Sequence, residues 1–160
     1  EFYQIMMKEL LDPNYGMFKY FPASRLLWFN SDSFESDTEF ELIGILLGIA
    51  IYNSIIVDFR MPKVIYKKLK GEAVNLQDLA ELQPDLASGL EQLLVFSGDV
   101  QSAFQFNFQI SYESLGEIRT IDLKENGGEI PVTNENREEY VSLYVEYILR
   151  TSVMTQFQAF

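Results

Sequence analysis

Two periods of apolar residues run through this chain, and they predict most of its elements. From Glu1 to Leu11 the residues Phe2, Ile5, Met6 and Leu10 fall on one helical stripe. Asp12-Pro13-Asn14-Tyr15-Gly16 breaks that helix. Met17 to Phe21 and Leu26 to Phe29 read as two short strands joined closely enough for a hairpin. Ser36 or Asp37 then caps a long helix that runs to about Tyr52. Gly44 and Gly48 strip one of its faces of side chains, which implies close packing against a neighbouring helix. Met61 to Leu69 reads as a short helix with Pro62 in its first turn and Lys63, Lys67 and Lys70 on one solvated side.

The character changes near Gly71. Two acidic helices follow, about 75–82 and 84–96. From Phe104 to Ile110 the period becomes two: Phe104, Phe106, Phe108 and Ile110 point one way and Gln105, Asn107 and Gln109 the other, which predicts a strand. A second strand spans Ile118 to Leu123 and ends in a turn at Asn126-Gly127-Gly128. Asn134 is placed to cap a long helix reaching about Arg150, with Tyr140, Tyr144 and Tyr147 on one face. A last helical piece, Thr151 to Phe160, is expected to return to the first part of the chain. The order of elements makes the fold class α+β with helix dominant.

Composition adds exclusions. With 160 residues, 48% of them hydrophobic, the chain can build a real core. It has no cysteine and no histidine, so thiol nucleophiles, disulfides and the common metal-ligand sets are absent, and neither a cofactor nor a metal is expected. Its longest apolar run, Leu42 to Tyr52, falls well short of the roughly 20 residues a membrane span needs, so no membrane contact is expected. No leader is visible, and both ends fall inside helical patterns, as in a piece of something larger.

Charge is uneven. Residues 1–70 hold 9 acids and 8 bases, and residues 71–160 hold 15 acids and 4 bases. The second part should repel nucleic acid and attract a basic protein, although acids on solvated helix faces also serve solubility alone. The acid pairs Glu39 with Glu41, Glu138 with Glu139 and Asp122 with Glu125 are neighbours on single elements. A carboxylate hydrolase needs acids that converge from separate elements across a cleft, so surface charge is the better reading. More promising is the apolar set Leu86, Leu90, Leu93, Phe96, Phe104, Phe106, Tyr140 and Tyr144. It offers either a core or a surface for a partner.

The segments LLDPNYGMF at 10–18, LIGILLGIAIYN at 42–53, PDLASGLEQLL at 84–94, DLKENGGEIPVTNENREEY at 122–140 and SVMTQFQAF at 152–160 together resemble the HECT-type ubiquitin ligase domain. The likeness is to its N-lobe, in the branch of the E6-associated ligase and the larger ligases with RCC1 repeats. The resemblance implies that residues 1–73 and 152–160 belong to a large helical subdomain and that 74–151 form a small inserted subdomain. The small one would bind a ubiquitin-conjugating enzyme, and the C-lobe with its cysteine would lie outside this chain. Carried over by position, Leu86, Leu90 and Leu93 would line the helix side of a docking groove and Phe96 its edge. Phe104 and Phe106 would stand where the family has aliphatic residues or Met, Tyr140 where close relatives have Phe, and Tyr144 at a groove tyrosine. The implied partners are a conjugating enzyme, ubiquitin as the donor thioester, and protein substrates reached through other regions. The implied location is intracellular, in the cytoplasm. A scaffold of the same fold that has lost the docking function is the alternative. For docking, Leu90, Phe104, Tyr140 and Tyr144 should be exposed, and for a scaffold buried.

Overall fold

The computed structural model describes residues 2–160, so the helix start expected at Glu1 lies outside the described residues. The first helix, α1 (Phe2–Leu10), turns a different face inward from the one its stripe suggested: Met7 and the following Leu11 are buried, while Phe2 and Ile5 are exposed. Six of the nine residues are apolar, and the inward face centres on Met7 rather than on the Phe2–Ile5 edge of that broad apolar surface. Asp12 caps the turn at Pro13–Tyr15, and Gly16, at φ 75°, ends it. Strands β1 (Phe18–Phe21) and β2 (Leu26–Phe29) pair antiparallel, with Phe18 opposite Phe29 and Phe21 opposite Leu26.

Helix α2 (Asp37–Tyr52) begins after Ser36, whose hydroxyl donates to the Glu39 carboxylate. Its buried residues Phe40, Ile43, Leu47 and Ala50 form one stripe. Leu42, Ile45, Ile49 and Tyr52 form a second, exposed stripe. The two glycines behave differently. A Cβ on Gly44 would stand 2.0 Å from the Phe160 carbonyl oxygen, whereas one on Gly48 would meet nothing within 4 Å. Close packing thus explains Gly44 and not Gly48. Helix α3 (Val64–Leu69) follows; Lys67 pairs with Asp78 at 2.8 Å and Lys70 with Glu72 at 3.7 Å.

Asn75 and Asp78 form a reciprocal capping box on α4 (Leu76–Leu82), and α5 (Pro84–Val95) starts on Pro84. The strand expected over 104–110 is not formed. Asp99 accepts from the Gln101 amide and caps a short helix, α6 (Val100–Phe104), which Gln105 ends in the left-handed region at φ 53°. Strand β3 starts only at Gln109 (Gln109–Ser114) and pairs with β4 (Glu117–Asp122) through a turn at Leu115 and Gly116. The alternation of three phenylalanines was genuine, but a local cap overrode it. Gly127 lies so close to Phe108 that a Cβ would stand 2.3 Å from its carbonyl oxygen.

Helix α7 (Arg137–Leu149) is followed by a turn and by α8 (Met154–Ala159). The last helix returns to the first part of the chain as expected. Phe29 gathers the rings of Phe157 and Phe160 at 6.0 and 5.4 Å, and those of Phe18 and Phe40 at 5.5 and 6.2 Å. One hydrophobic core runs from Met7 through α2 and α7 to Val153. Among the described residues no helix is long and apolar enough to cross a membrane.

Candidate functional site

Arg137 sits in the first turn of α7, where a cation gains nothing from the helix dipole. Its guanidinium reaches instead to the far end of α5 and donates to the carbonyls of Phe96, at 2.7 Å, and Leu93, at 3.3 Å. Those are among the carbonyls a helix end leaves without partners, so the contact binds α5 to α7.

The residues just before Arg137 do similar work. Asn134 is not the cap of α7. Its side-chain oxygen accepts from the Val100 amide at 2.9 Å and its amide donates to the Gly98 carbonyl at 2.9 Å, so it fastens the link between α5 and α6. Asn136 holds the cap position, yet its side chain accepts from the Thr133 amide and donates to the Pro131 carbonyl. The Thr-Asn-Glu-Asn-Arg stretch is therefore a clamp that sets α5, α6 and α7 relative to one another.

On this frame stands a row of rings. Phe96 meets Phe104 edge to face at 5.2 Å, and Phe104 meets Phe106 at 5.7 Å. Phe106 lies nearly parallel to Tyr140 at 6.3 Å, and Tyr140 meets Tyr144 at 5.8 Å. Phe108, fully buried, supports Tyr140 from beneath at 5.5 Å. The left-handed Gln105 lets Phe104 and Phe106 stay adjacent without a strand. Tyr147 departs from the row to meet Tyr112 on β3.

The eight residues singled out from sequence divide by depth. Leu90, Leu93 and Tyr140 are buried, at 5%, 1% and 4% exposure. Leu86, Phe96, Phe104 and Tyr144 are half-buried, and Phe106 is 44% exposed. The four residues chosen to separate docking from scaffold are thus split, with Leu90 and Tyr140 buried and Phe104 and Tyr144 half-open. Burial pushes the Tyr140 phenol up to about 12, with the neighbouring Tyr144 adding to the shift, and burial raises Tyr144 as well. Both phenols keep their protons at neutral pH, so the row is uncharged.

Two clefts lie elsewhere. One of about 430 Å³ is lined by Tyr15, Lys19, Asp32, Phe34, Glu113 and Leu115. A larger one runs between α1 and residues 56–60. Neither includes a ring of the row. Among the described residues no three acids come together as a metal site would require. An aromatic row on a helical frame, with Phe106 open to solvent, suits contact with another protein.

The profile of the HECT-domain (ubiquitin-transferase) family matches residues 4–160, and the chain belongs to that family. It is 44% identical over 161 residues to the human protein "Probable E3 ubiquitin-protein ligase HERC4", covering all of this chain and 15% of the relative. It is 40% identical over 174 residues to mouse "Probable E3 ubiquitin-protein ligase HECTD2", covering 22% of that protein. To the fission-yeast "Probable E3 ubiquitin-protein ligase mug30" it is 41% identical over 162 residues, or 20% of that length. The chain therefore spans between about a seventh and a quarter of these relatives.

Proposed function

We propose that residues 74–151 form the small subdomain that docks a ubiquitin-charged conjugating enzyme, with 1–73 and 152–160 contributing to the larger body that carries it. The parent protein would act in the cytoplasm as a ubiquitin ligase, and would reach its protein substrates through regions outside this chain. Ubiquitin would pass from the conjugating enzyme's thiol to a cysteine also outside it, since this sequence has none. This chain would supply proximity and orientation.

The observation that carries the reading is the continuous ring row from Phe96 to Tyr144 with Phe106 open to solvent, in a chain of this family. An aromatic anchor at such a surface contributes about 2 kcal/mol or more. The experiment is calorimetric titration with a panel of conjugating enzymes, beside Phe106→Ala. Phe106 is the variant of choice because truncating the buried Tyr140 would threaten the fold. Docking predicts saturable binding to at least one enzyme and roughly 30-fold weaker binding for Phe106→Ala. Equal affinity for both chains would remove the row from the site.

The burial of Leu90 and Tyr140 favours a second reading, a scaffold of the same fold whose row is only core. Absence of binding to every enzyme in the panel, by wild-type chain of verified fold, would favour it.

A further inference from the structure

Among the described residues two charged side chains are buried, Asp78 and Lys68. Asp78 serves the capping box of α4 and pairs with Lys67, so its place is accounted for. Lys68 is not. It lies on α3 at 7% exposure, and its Nζ donates to the Leu149 carbonyl at 2.5 Å, where α7 ends. The same nitrogen stands 4.4 Å from the ring centre of Phe157 on α8 and 5.7 Å from that of Trp28 on β2. Four separate elements meet on one amine.

The location is the second part of the observation. The chain passes from its first 73 residues into segment 74–151 just after Lys68, through Gly71 at φ 72°. It leaves that segment just after Leu149. Arg150 joins the same two crossings, donating from Nη2 to the Glu72 carbonyl at 3.4 Å. The side chain best placed to set the junction is therefore the one whose burial is hardest to account for by packing.

An apolar residue of similar length would fill this space without a desolvation cost. It would also accept many packing angles, whereas an amine needs an acceptor at one point and a ring face at another. The charged groups around Lys68 do not neutralise it. The end of α7 contributes Glu146 and Arg150 as a pair of opposite sign, and α3 contributes Lys67, taken by Asp78, and Lys70, taken by Glu72. Neither β2 nor α8 carries a titratable side chain.

We propose that Lys68 is a positioning residue: its buried amine, seated on the Leu149 carbonyl between Phe157 and Trp28, fixes the angle at which segment 74–151 stands on the rest of the chain, at a cost in stability. The consequence for ubiquitin transfer rests on the docking reading above, since the fixed angle would aim a docked conjugating enzyme. The angle itself does not depend on that reading.

The sign of the pH dependence follows from the burial. Desolvation, with repulsion from Arg150, pulls the amine from its ordinary 10.5 down to about 8, against the attraction of Glu146. Below pH 8 both the folded and the unfolded chain carry the proton, and the cost of burial is present in full. Between about 8 and 10.5 the unfolded chain binds more protons, so folding should become more favourable as pH rises.

The chain has no cysteine, so nitroxide labels can be placed at will on Glu41→Cys and Glu91→Cys, two exposed sites on α2 and α5. The distance distribution between them is measured with Lys68 and with Lys68→Met, and urea unfolding of both is followed from pH 7 to 10.5. A broader distribution in Lys68→Met is expected, with a urea midpoint at pH 7 no lower than wild type and no rise above pH 8. A distribution that superimposes on wild type overturns the positioning role, and a lower midpoint overturns the cost. Should Lys68→Met not fold, Phe157→Leu removes one wall of the cage and keeps the amine; it should broaden the distribution, and an unchanged one again overturns the role. Failure of the wild-type chain to bind any conjugating enzyme would count against docking and leave the distance result standing.

Discussion

A single side chain can do the work of a loop, and Arg137 is the clearest case. It is the first residue of a helix, in a chain of net charge −12. In the fold it closes the end of α5 by taking two carbonyls. Arg137→Ala leaves both carbonyls without this donor in a half-buried place. A loss of about 1–3 kcal/mol is expected in urea unfolding, with α5 and the ring row loosened before the rest. Hydrogen exchange would check the second part: amides near the end of α5 should lose protection while those of α2 keep theirs. Sequence brought the five rings of the row and the three leucines Leu86, Leu90 and Leu93 to notice because they are large apolar residues, most of them at regular spacing. It did not reveal the partners of Arg137, Asn134 or Lys68, because a polar side chain shows its partner only after distant segments meet.

At the scale of elements, α2 offers a paired comparison. Gly44 and Gly48 look alike in sequence, four residues apart on one helix, and only Gly44 lies against a neighbour. Gly44→Ala forces a methyl into the backbone of Phe160 and should cost about 1–3 kcal/mol or displace α8. Gly48→Ala meets open space and should stabilise the chain by about 0.5–1 kcal/mol, as Gly to Ala does inside a helix. Thermal unfolding of the two variants distinguishes the sites, and equal effects would contradict the packing described. Helix α2 and the β1–β2 hairpin were legible from periodicity because long or paired stretches of one period leave few alternatives. The strand expected over 104–110 was misread for a physical reason. Phe104, Phe106, Phe108 and Ile110 do alternate, but Asp99 caps a turn of helix and Gln105 bends the chain before strand pairing begins. Local hydrogen bonding by one aspartate outweighed a period of two, and Phe104 and Phe106 reached adjacent places by another route. The start of α7 was shifted similarly, because Asn134 found partners in the α5–α6 link rather than in its own helix.

At the scale of the molecule, the division of charge is the feature most visible in the sequence and least explained by the core. Fifteen acids against four bases in residues 71–160 surround the segment that carries the ring row. If a conjugating enzyme with a basic face docks there, association should slow and affinity should fall as salt is raised from about 0.05 to 0.5 M, because the Debye length shrinks severalfold. Stopped-flow association at several ionic strengths checks this. Rates indifferent to salt would leave the acids a role in solubility only.

Trp28 is the sole tryptophan of the chain, 2% exposed, with an indole N–H that meets no acceptor and a lysine amine beside its ring. That makes the protein its own optical probe. Excited selectively, the chain should emit at short wavelength from a dry site, and the emission should move to the red when water reaches the point where the first and last parts of the polypeptide meet. The ring row contains only phenylalanine and tyrosine, so a partner settling there would leave this emission almost untouched. One fluorophore thus watches the integrity of the body while remaining blind to the face, and a change in its colour on mixing with another protein would mean that the body itself had yielded.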